Sequence, residues 1–265
     1  MKYVFIDIDG TLVTEDGVIP ETALEVINKA KENGHKVFLC TGRNMGVSKF
    51  CQNLNLDGYI TASGAYIVVH GKTIYENHIE HYHIDKLINE FNKTNIIHFV
   101  EGTSYIFCDE YGRSALTKLF ENNERKDSIK NIRGIDEYNN DKILKFSIVS
   151  SDYNEIEDSL ALYQDDFHCC TSTFSVKEIP YLGQFTKKGD NKFEAIKKVM
   201  QYYNHNIEDA IAIGDSGNDL EMIEGCKVSV AMGNATELIK QKATFITTDV
   251  DKDGLYNAFK YLELI

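Results

Sequence analysis

Short apolar runs that each end on a polar group are the feature that most constrains this chain. Tyr3-Val4-Phe5-Ile6-Asp7-Ile8 is almost continuously apolar, as in a strand buried on both faces. Lys36-Val37-Phe38-Leu39-Cys40 and Ala210-Ile211-Ala212-Ile213-Gly214 repeat the pattern, and residues 58–62 and 228–232 add two more such runs. Between the early runs lie helical patterns. Residues 22–33 carry Leu24, Ile27 and Ala30 at helical spacing with Gly34 as a C-cap, and residues 44–54 form a second helix. A β-α-β-α-β rhythm dictates a parallel sheet, since parallel neighbours need crossover connections.

The rhythm breaks near residue 80. Short hairpin-type strands follow at residues 98–100 and 105–107, turning at Glu101-Gly102. Residues 145–149 and 175–179 alternate apolar and polar, as in a sheet wet on one face, and helical patterns occupy residues 85–93, 114–121 and 155–163. After residue 186 the first rhythm returns, with helices at 191–202 and 220–223. The expected architecture is an α/β, Rossmann-like parallel-sheet core (residues 1–80 and 186–265) interrupted by an inserted α+β cap domain (81–185).

Ligands of open parallel sheets bind beyond the carboxyl ends of the strands, so the residues closing each run are candidates for chemistry. Asp7-Ile8-Asp9-Gly10-Thr11 puts a carboxylate at the end of an apolar strand, where it is costly unless paired. The plainer reading is an Asp-Gly turn. Gly214-Asp215-Ser216-Gly217-Asn218-Asp219 again delivers carboxylates to a Gly-rich loop, with Asp219 alternatively a helix N-cap. Thr41-Gly42-Arg43 offers a hydroxyl and free N–H groups at a helix start, an anion site or an ordinary cap, with Arg43 in a structural ion pair. Thr186-Lys187-Lys188-Gly189 heads another helix, and a lysine there either neutralises phosphate or is a surface cation. Two like charges at 4 Å repel by about 4 kcal/mol at an effective dielectric of 20. A cluster of Asp7, Asp9, Asp215 and Asp219 therefore calls for a hard dication, and Mg²⁺ suits carboxylates plus a phosphate. Together the four places describe a phosphoryl-transfer site.

At this point the chain resembles the haloacid dehalogenase (HAD) superfamily, and within it the Cof-type sugar-phosphate phosphatases. Asp7-Ile8-Asp9-Gly10-Thr11, Thr41-Gly42-Arg43, Lys188-Gly189 and Gly214-Asp215-x-x-Asn218-Asp219 correspond to the four signatures in order. Val230-Ala231-Met232-Gly233-Asn234-Ala235 and Asp253-Gly254 resemble stretches of the Cof group. The resemblance implies that Asp7 attacks phosphorus and becomes an aspartyl phosphate, while Asp9 protonates the leaving alcohol and then deprotonates water. It implies Mg²⁺ held by the Asp7 carboxylate, the Asp9 backbone carbonyl and Asp215, with Asp219 supporting from behind. Phosphoryl oxygens would meet Thr41, Lys188, Asn218 and the N–H groups of Ile8 and Gly42; the adjoining glycine selects Lys188 over Lys187. One departure is Ala62-Ser63-Gly64-Ala65, where relatives usually show Asn-Gly-Ala.

Acidic residues outnumber basic ones 41 to 28 for a net charge of −13, which argues against nucleic-acid and anionic-membrane partners. No apolar stretch reaches bilayer length, the start meets a carboxylate at Asp7, and the six cysteines show no metal-like spacing. A cytoplasmic protein is expected, a monomer or small homo-oligomer acting on a small phosphorylated metabolite. His78, His81 and His83 read as polar hinge residues with Gly183, not as a metal site. Cys169 and Cys170 face opposite sides of a strand, and Phe99, Tyr105, Phe107 and Tyr181 read as core. The expected activity is Mg²⁺-dependent phosphomonoester hydrolysis. The rivals are a phosphomutase, a receiver-type phospho-acceptor, and a catalytically idle binding protein.

Overall fold

The computed structural model describes residues 1–44, 46–121, 126–173 and 178–265. The chain forms two compact units, one of Met1–Gly42, Val47–Glu76 and Asn191–Ile265, the other of Arg43–Gly46 and Asn77–Asp190. The second crossing falls five residues later than the sequence suggests, because residues 181–187 are still a strand of the inserted unit, paired on both sides.

Strands β1 (Tyr3–Ile6), β2 (Lys36–Cys40), β3 (Gly58–Thr61), β4 (Tyr66–Val69) and β5 (Lys72–Glu76) precede the insert. The insert holds β6 (Ile97–Gly102), β7 (Ile106–Cys108), β8 (Ile132–Gly134), β9 (Ile143–Ser150), β10 (Phe167–Thr173) and β11 (Tyr181–Lys187). Strands β12 (Ala210–Gly214), β13 (Val228–Ala231) and β14 (Phe245–Ile246) follow it.

The larger unit is one sheet in the order β14-β13-β12-β1-β2-β3-β4-β5. From β14 to β3 every pairing is parallel. β4 and β5 extend the edge as an antiparallel hairpin that turns through His70 and Gly71, both at positive φ. All four residues of β1 are buried, as its apolar run requires. The helix Glu21–Glu32 buries Ala23, Val26, Ile27 and Ala30. It ends as its sequence implies: Gly34 N–H donates to Lys31 O and His35 N–H to Ala30 O, the paired bonds of a Schellman stop. With β1 lying between β12 and β2, the loops after these three strands emerge side by side on one edge.

The insert is a second sheet in the order β10-β11-β9-β6-β7-β8. Its central strand β9 is buried at all eight positions, contrary to the expectation of a wet face. The polar alternation persists because those residues pair with one another. Lys145 Nζ lies 3.1 Å from Glu101 Oε1, which also accepts the Ser147 hydroxyl at 2.5 Å. The opposite face packs Val100, Phe146, Ile148 and Phe185 against Ile84, Leu87, Phe91 and Ile156. The β6–β7 hairpin closes at Gly102 N–H to Tyr105 O, so its turn follows Gly102. Gly183 is no hinge: it sits inside β11, where a Cβ would lie 2.9 Å from Ile148. Phe99 and Phe107 are buried, whereas Tyr105 and Tyr181 are partly exposed. Residues 175–177 of the strand expected at 175–179 lie outside the described residues, and Glu178-Ile179 form a turn. His81 Nε2 meets the Asp141 carbonyl at 3.0 Å and the His83 ring packs edge-on to Phe167, neither near a metal-binding group of side chains among the described residues. No described helix is long and apolar enough to cross a membrane.

Candidate functional site

Asp7 directly follows β1, and its N–H still joins the ladder through Ile213 O of β12 at 3.0 Å. The sheet thus fixes its backbone and aims the side chain at the strand ends. That side chain is only 4% exposed and needs a partner. It has one in Lys192, which is fully buried and reaches from the first turn of the helix Lys192–Tyr202. Lys192 Nζ lies 2.5 Å from Asp7 Oδ1, 2.6 Å from Asp219 Oδ1 and 3.2 Å from Asn218 Oδ1. The start of this helix is fixed twice. Asn191 Oδ1 caps it by accepting the Glu194 N–H at 2.8 Å. Gly64 comes so close that a Cβ would lie 2.4 Å from the Asn191 carbonyl oxygen.

The loop after β12 is equally constrained. Asp219 Oδ2 accepts the N–H groups of Asp215 (2.9 Å) and Ser216 (3.0 Å), while Gly214 leaves no room for a Cβ beside the Asp219 carboxylate. Thr11 donates its hydroxyl to Asp215 Oδ1 at 2.7 Å. Asn218 Oδ1 takes both Lys192 and the Ser216 hydroxyl, so its NH₂ is the group left to donate outward. Ligand atoms from Asp7, Asp215 and Asp219 all lie within 4.8 Å of one another.

This crowding is visible in protonation. Burial, with Asp219 and Asp9 nearby, pushes Asp7 up to about 7 even though Lys192 pulls the other way. Burial and the charges of Asp219 and Asp7 raise Asp215 well above the usual carboxylate range, against the opposing Thr11 bond. Burial alone would push the Lys192 ammonium down; Asp219 and Asp7 outweigh it and hold the group charged.

Of the residues singled out in the sequence, the structure gathers Asp7, Asp215, Asn218 and Asp219. Thr41 closes β2 next to β1, buried, its N–H on Ile60 O and its carbonyl accepting the Ser63 N–H at 3.1 Å; Gly42 beside it is buried too. Ile8 is buried, and its carbonyl anchors the turn by accepting from Leu12 and Val13. Asp9 stands exposed on that turn. Ser63 is buried in a left-handed conformation that an asparagine would adopt more readily.

Lys188 is the misplacement. It is exposed in the inserted unit, its ammonium on the carbonyls of Gln164 (3.3 Å) and Asp165 (2.6 Å), while Lys187 pairs with Glu80. The chain turns at Gly189 (φ +90°) before the helix begins, so the lysine that meets Asp7 stands four residues later. The sequence did hold a signal: Lys192 shares an apolar stripe with Ala195, Ile196, Val199 and Met200, all buried. A lysine on the core face of a helix is there for a partner.

Residues 4–259 match the family of haloacid dehalogenase-like hydrolases. The chain is 28% identical over 269 residues to YkrA of Bacillus subtilis, covering all of this chain and 98% of that one. It is 26% identical over 267 residues to the 5-amino-6-(5-phospho-D-ribitylamino)uracil phosphatase YcsE of the same organism, covering 98% and 95%. The solved structure of a HAD subclass IIB sugar phosphatase aligns over the whole of both chains with a TM-score of 0.84 at 26% identity.

Proposed function

The chain belongs to the haloacid dehalogenase-like hydrolases and is a phosphatase of that superfamily; on that footing we propose that it hydrolyses small phosphomonoesters in two steps on Asp7. The observation that carries this reading is the buried Lys192 bridge between Asp7 and Asp219 beside Asp215. The bridge holds the Asp7 carboxylate in one orientation, with a fixed positive charge at the edge where phosphoryl oxygens would lie. Asp7 attacks phosphorus as the bond to the leaving oxygen breaks, and exposed Asp9 gives that oxygen a proton. Asp9, now ionised, takes a proton from water as the water attacks the aspartyl phosphate. Inorganic phosphate leaves and both carboxyl groups return to their starting states. Thr41, Gly42, the Ile8 N–H and the Asn218 NH₂ stand as donors to the phosphoryl oxygens.

The donor set fits a hard dication. It offers only carboxylate oxygens, tightly clustered, and the burial and mutual repulsion that raise Asp7 and Asp215 are what such a cation relieves. Asp7 and Asp215, with the Asp9 carbonyl, would hold Mg²⁺. Asp219 is committed to Lys192 and two backbone amides, and so supports the site from behind. Bound there, Mg²⁺ neutralises charge on the phosphoryl group during transfer. Selection of the leaving group is assigned to the insert, Asn77–Asp190. Two of the relatives are named for a phosphoribitylamino-uracil and a sugar phosphate and align over nearly the whole chain, so the shared fold does not fix the substrate.

The test is phosphate release from a panel of metabolite monoesters with Mg²⁺ or chelator, with Asp7→Asn as control. Mg²⁺-dependent release that the substitution abolishes supports the reading. A silent panel from folded, Mg²⁺-loaded protein overturns it.

A further inference from the structure

We propose that Asn234 is a positioning residue for proton transfer by Asp9, an inference that rests on the acid role just given to Asp9. Asn234 is exposed, so packing does not explain it, yet both ends of its amide are committed to distant backbone. Its Nδ2 donates to the Gly10 carbonyl at 2.8 Å, and its Oδ1 accepts the Val250 N–H at 2.9 Å.

The clamp joins the turn that carries Asp9 to anchored structure. On the Asn234 side, Met232 N–H donates to Gly214 O, Thr236 N–H to Asp215 O and Gly233 N–H to Thr248 O. The segment beyond Val250 is pinned in turn, because a Cβ on Gly254 would lie 2.5 Å from Met232 and from the Thr248 carbonyl. Asn234 thus rides on the loop that also fixes the Asp215 backbone, and ties Gly10 to it.

Gly10 is the residue after Asp9, held at φ +81° where a side chain would collide with the Asp215 carboxylate. Its N–H is bound to Val13 O at 2.9 Å. The Asn234 bond holds the next peptide, Gly10–Thr11, so the two bonds together limit rotation of the turn that carries Asp9. Because Asp9 is exposed on this turn, the backbone of the turn bears directly on where its carboxyl lies. Misplacing a reacting group by about 1 Å can cost 10²-fold in rate.

Asn234→Asp breaks the bond to Gly10 and adds a negative charge. It keeps the acceptor for Val250 and puts a repelling oxygen where the Gly10 carbonyl had a donor. Asn234→Ala removes both bonds and adds no charge, so it must shift the dependence on leaving group in the same direction. The assay is kcat/KM across a series of aryl phosphates from p-nitrophenyl to p-methylphenyl phosphate, with Asp9→Asn as reference. An acid is needed most when the leaving phenol is least acidic, so loss of acid positioning steepens the dependence on leaving group. The slope is a ratio within one preparation, so partial unfolding does not alter it. The expected result is a loss in Asn234→Asp that is least on p-nitrophenyl phosphate and grows to about tenfold or more at the other end, in the direction of Asp9→Asn. An equal loss across the series makes Asn234 a structural staple and overturns the inference alone. An Asp9→Asn slope identical to the unaltered enzyme overturns the acid role of Asp9, and the inference with it.

Discussion

Replacing Lys192 with methionine separates the lysine that the structure places at Asp7 from the one that the sequence pattern favoured. Methionine keeps length and apolar character but leaves Asp7 Oδ1 and Asp219 Oδ1 facing each other without the cation that lies 2.5 and 2.6 Å from them. Breaking a buried pair by removing one partner costs about 3–5 kcal/mol. At roughly 2–4 °C per kcal/mol for a unit of this size, melting should fall by about 6–20 °C. Lys188→Met removes an exposed ammonium from two carbonyl oxygens and should stay within about 0.5 kcal/mol of the starting protein. The assay is thermal unfolding of both variants in chelator at pH 8 and pH 5. The deficit of Lys192→Met should shrink at pH 5, because protonating Asp7 removes one of the two uncompensated charges. Turnover per folded molecule should fall by about 10²-fold or more for Lys192→Met and hardly change for Lys188→Met. A Lys188→Met protein that melts as early as Lys192→Met, or a deficit independent of pH, would refute the reasoning.

Without metal, the unaltered protein should lose stability as pH rises from about 4 to 7. Native Asp7 holds its proton to about 7 while the unfolded chain releases it near 3.8, so the stabilising contribution is full below 3.8 and gone above 7. That difference corresponds to about 4 kcal/mol, and Asp215 adds in the same direction; urea unfolding at pH 4.5 and 7.5 should show the decline in chelator and a flatter profile in Mg²⁺. Gly10→Ala should cost about 2 kcal/mol or more, since the residue sits at φ +81° and its Cβ would lie 2.6 Å from Asp215 Oδ2. Its urea midpoint should drop together with Mg²⁺ affinity read by calorimetry. Asn191→Ala removes the cap on the helix that carries Lys192 and should cost about 1 kcal/mol, read in the same urea titration.

The parallel core was legible because each of its elements is written locally. An apolar run such as residues 3–6 has no stable place except between two covered faces, and the carboxylates that end β1 and follow β12 then meet by topology alone. The hairpin of β4 and β5 escaped because its turn uses His70 at positive φ, where the usual signal is asparagine or aspartate. In β9 the alternation is present but does not mark a wet face. Lys145 and Ser147 are polar but satisfied by Glu101, so polarity did not mean exposure. The expectation for Lys188 departs from the structure for a related reason. A lysine beside a glycine is a pattern along the chain, whereas what selects the lysine that meets Asp7 is the helix face on which it lies. Gly183 looked like a joint because glycine permits motion, but there it permits close packing against Ile148 and Ile156.

The charge arithmetic of the site ties these readings together. Asp7, Asp215 and Asp219 carry three negative charges when ionised, and Lys192 supplies one positive charge. At 4.8 Å and an effective dielectric of 20, each carboxylate pair repels by about 3.5 kcal/mol. Lys192 relieves Asp7 and Asp219 but does not touch Asp215, whose bond to Thr11 brings no charge. The uncompensated charge therefore lies between Asp7 and Asp215. Protons can quench it, and burial together with this repulsion raises both groups, but a protonated Asp7 is no nucleophile. A dication removes the same two charges while leaving Asp7 ionised, and it also lets a phosphomonoester dianion approach a site that would otherwise repel it. Chelation should accordingly abolish substrate binding as well as turnover. Binding of a non-hydrolysable phosphonate analogue to the unaltered protein in chelator, at the affinity seen with Mg²⁺, would contradict this account.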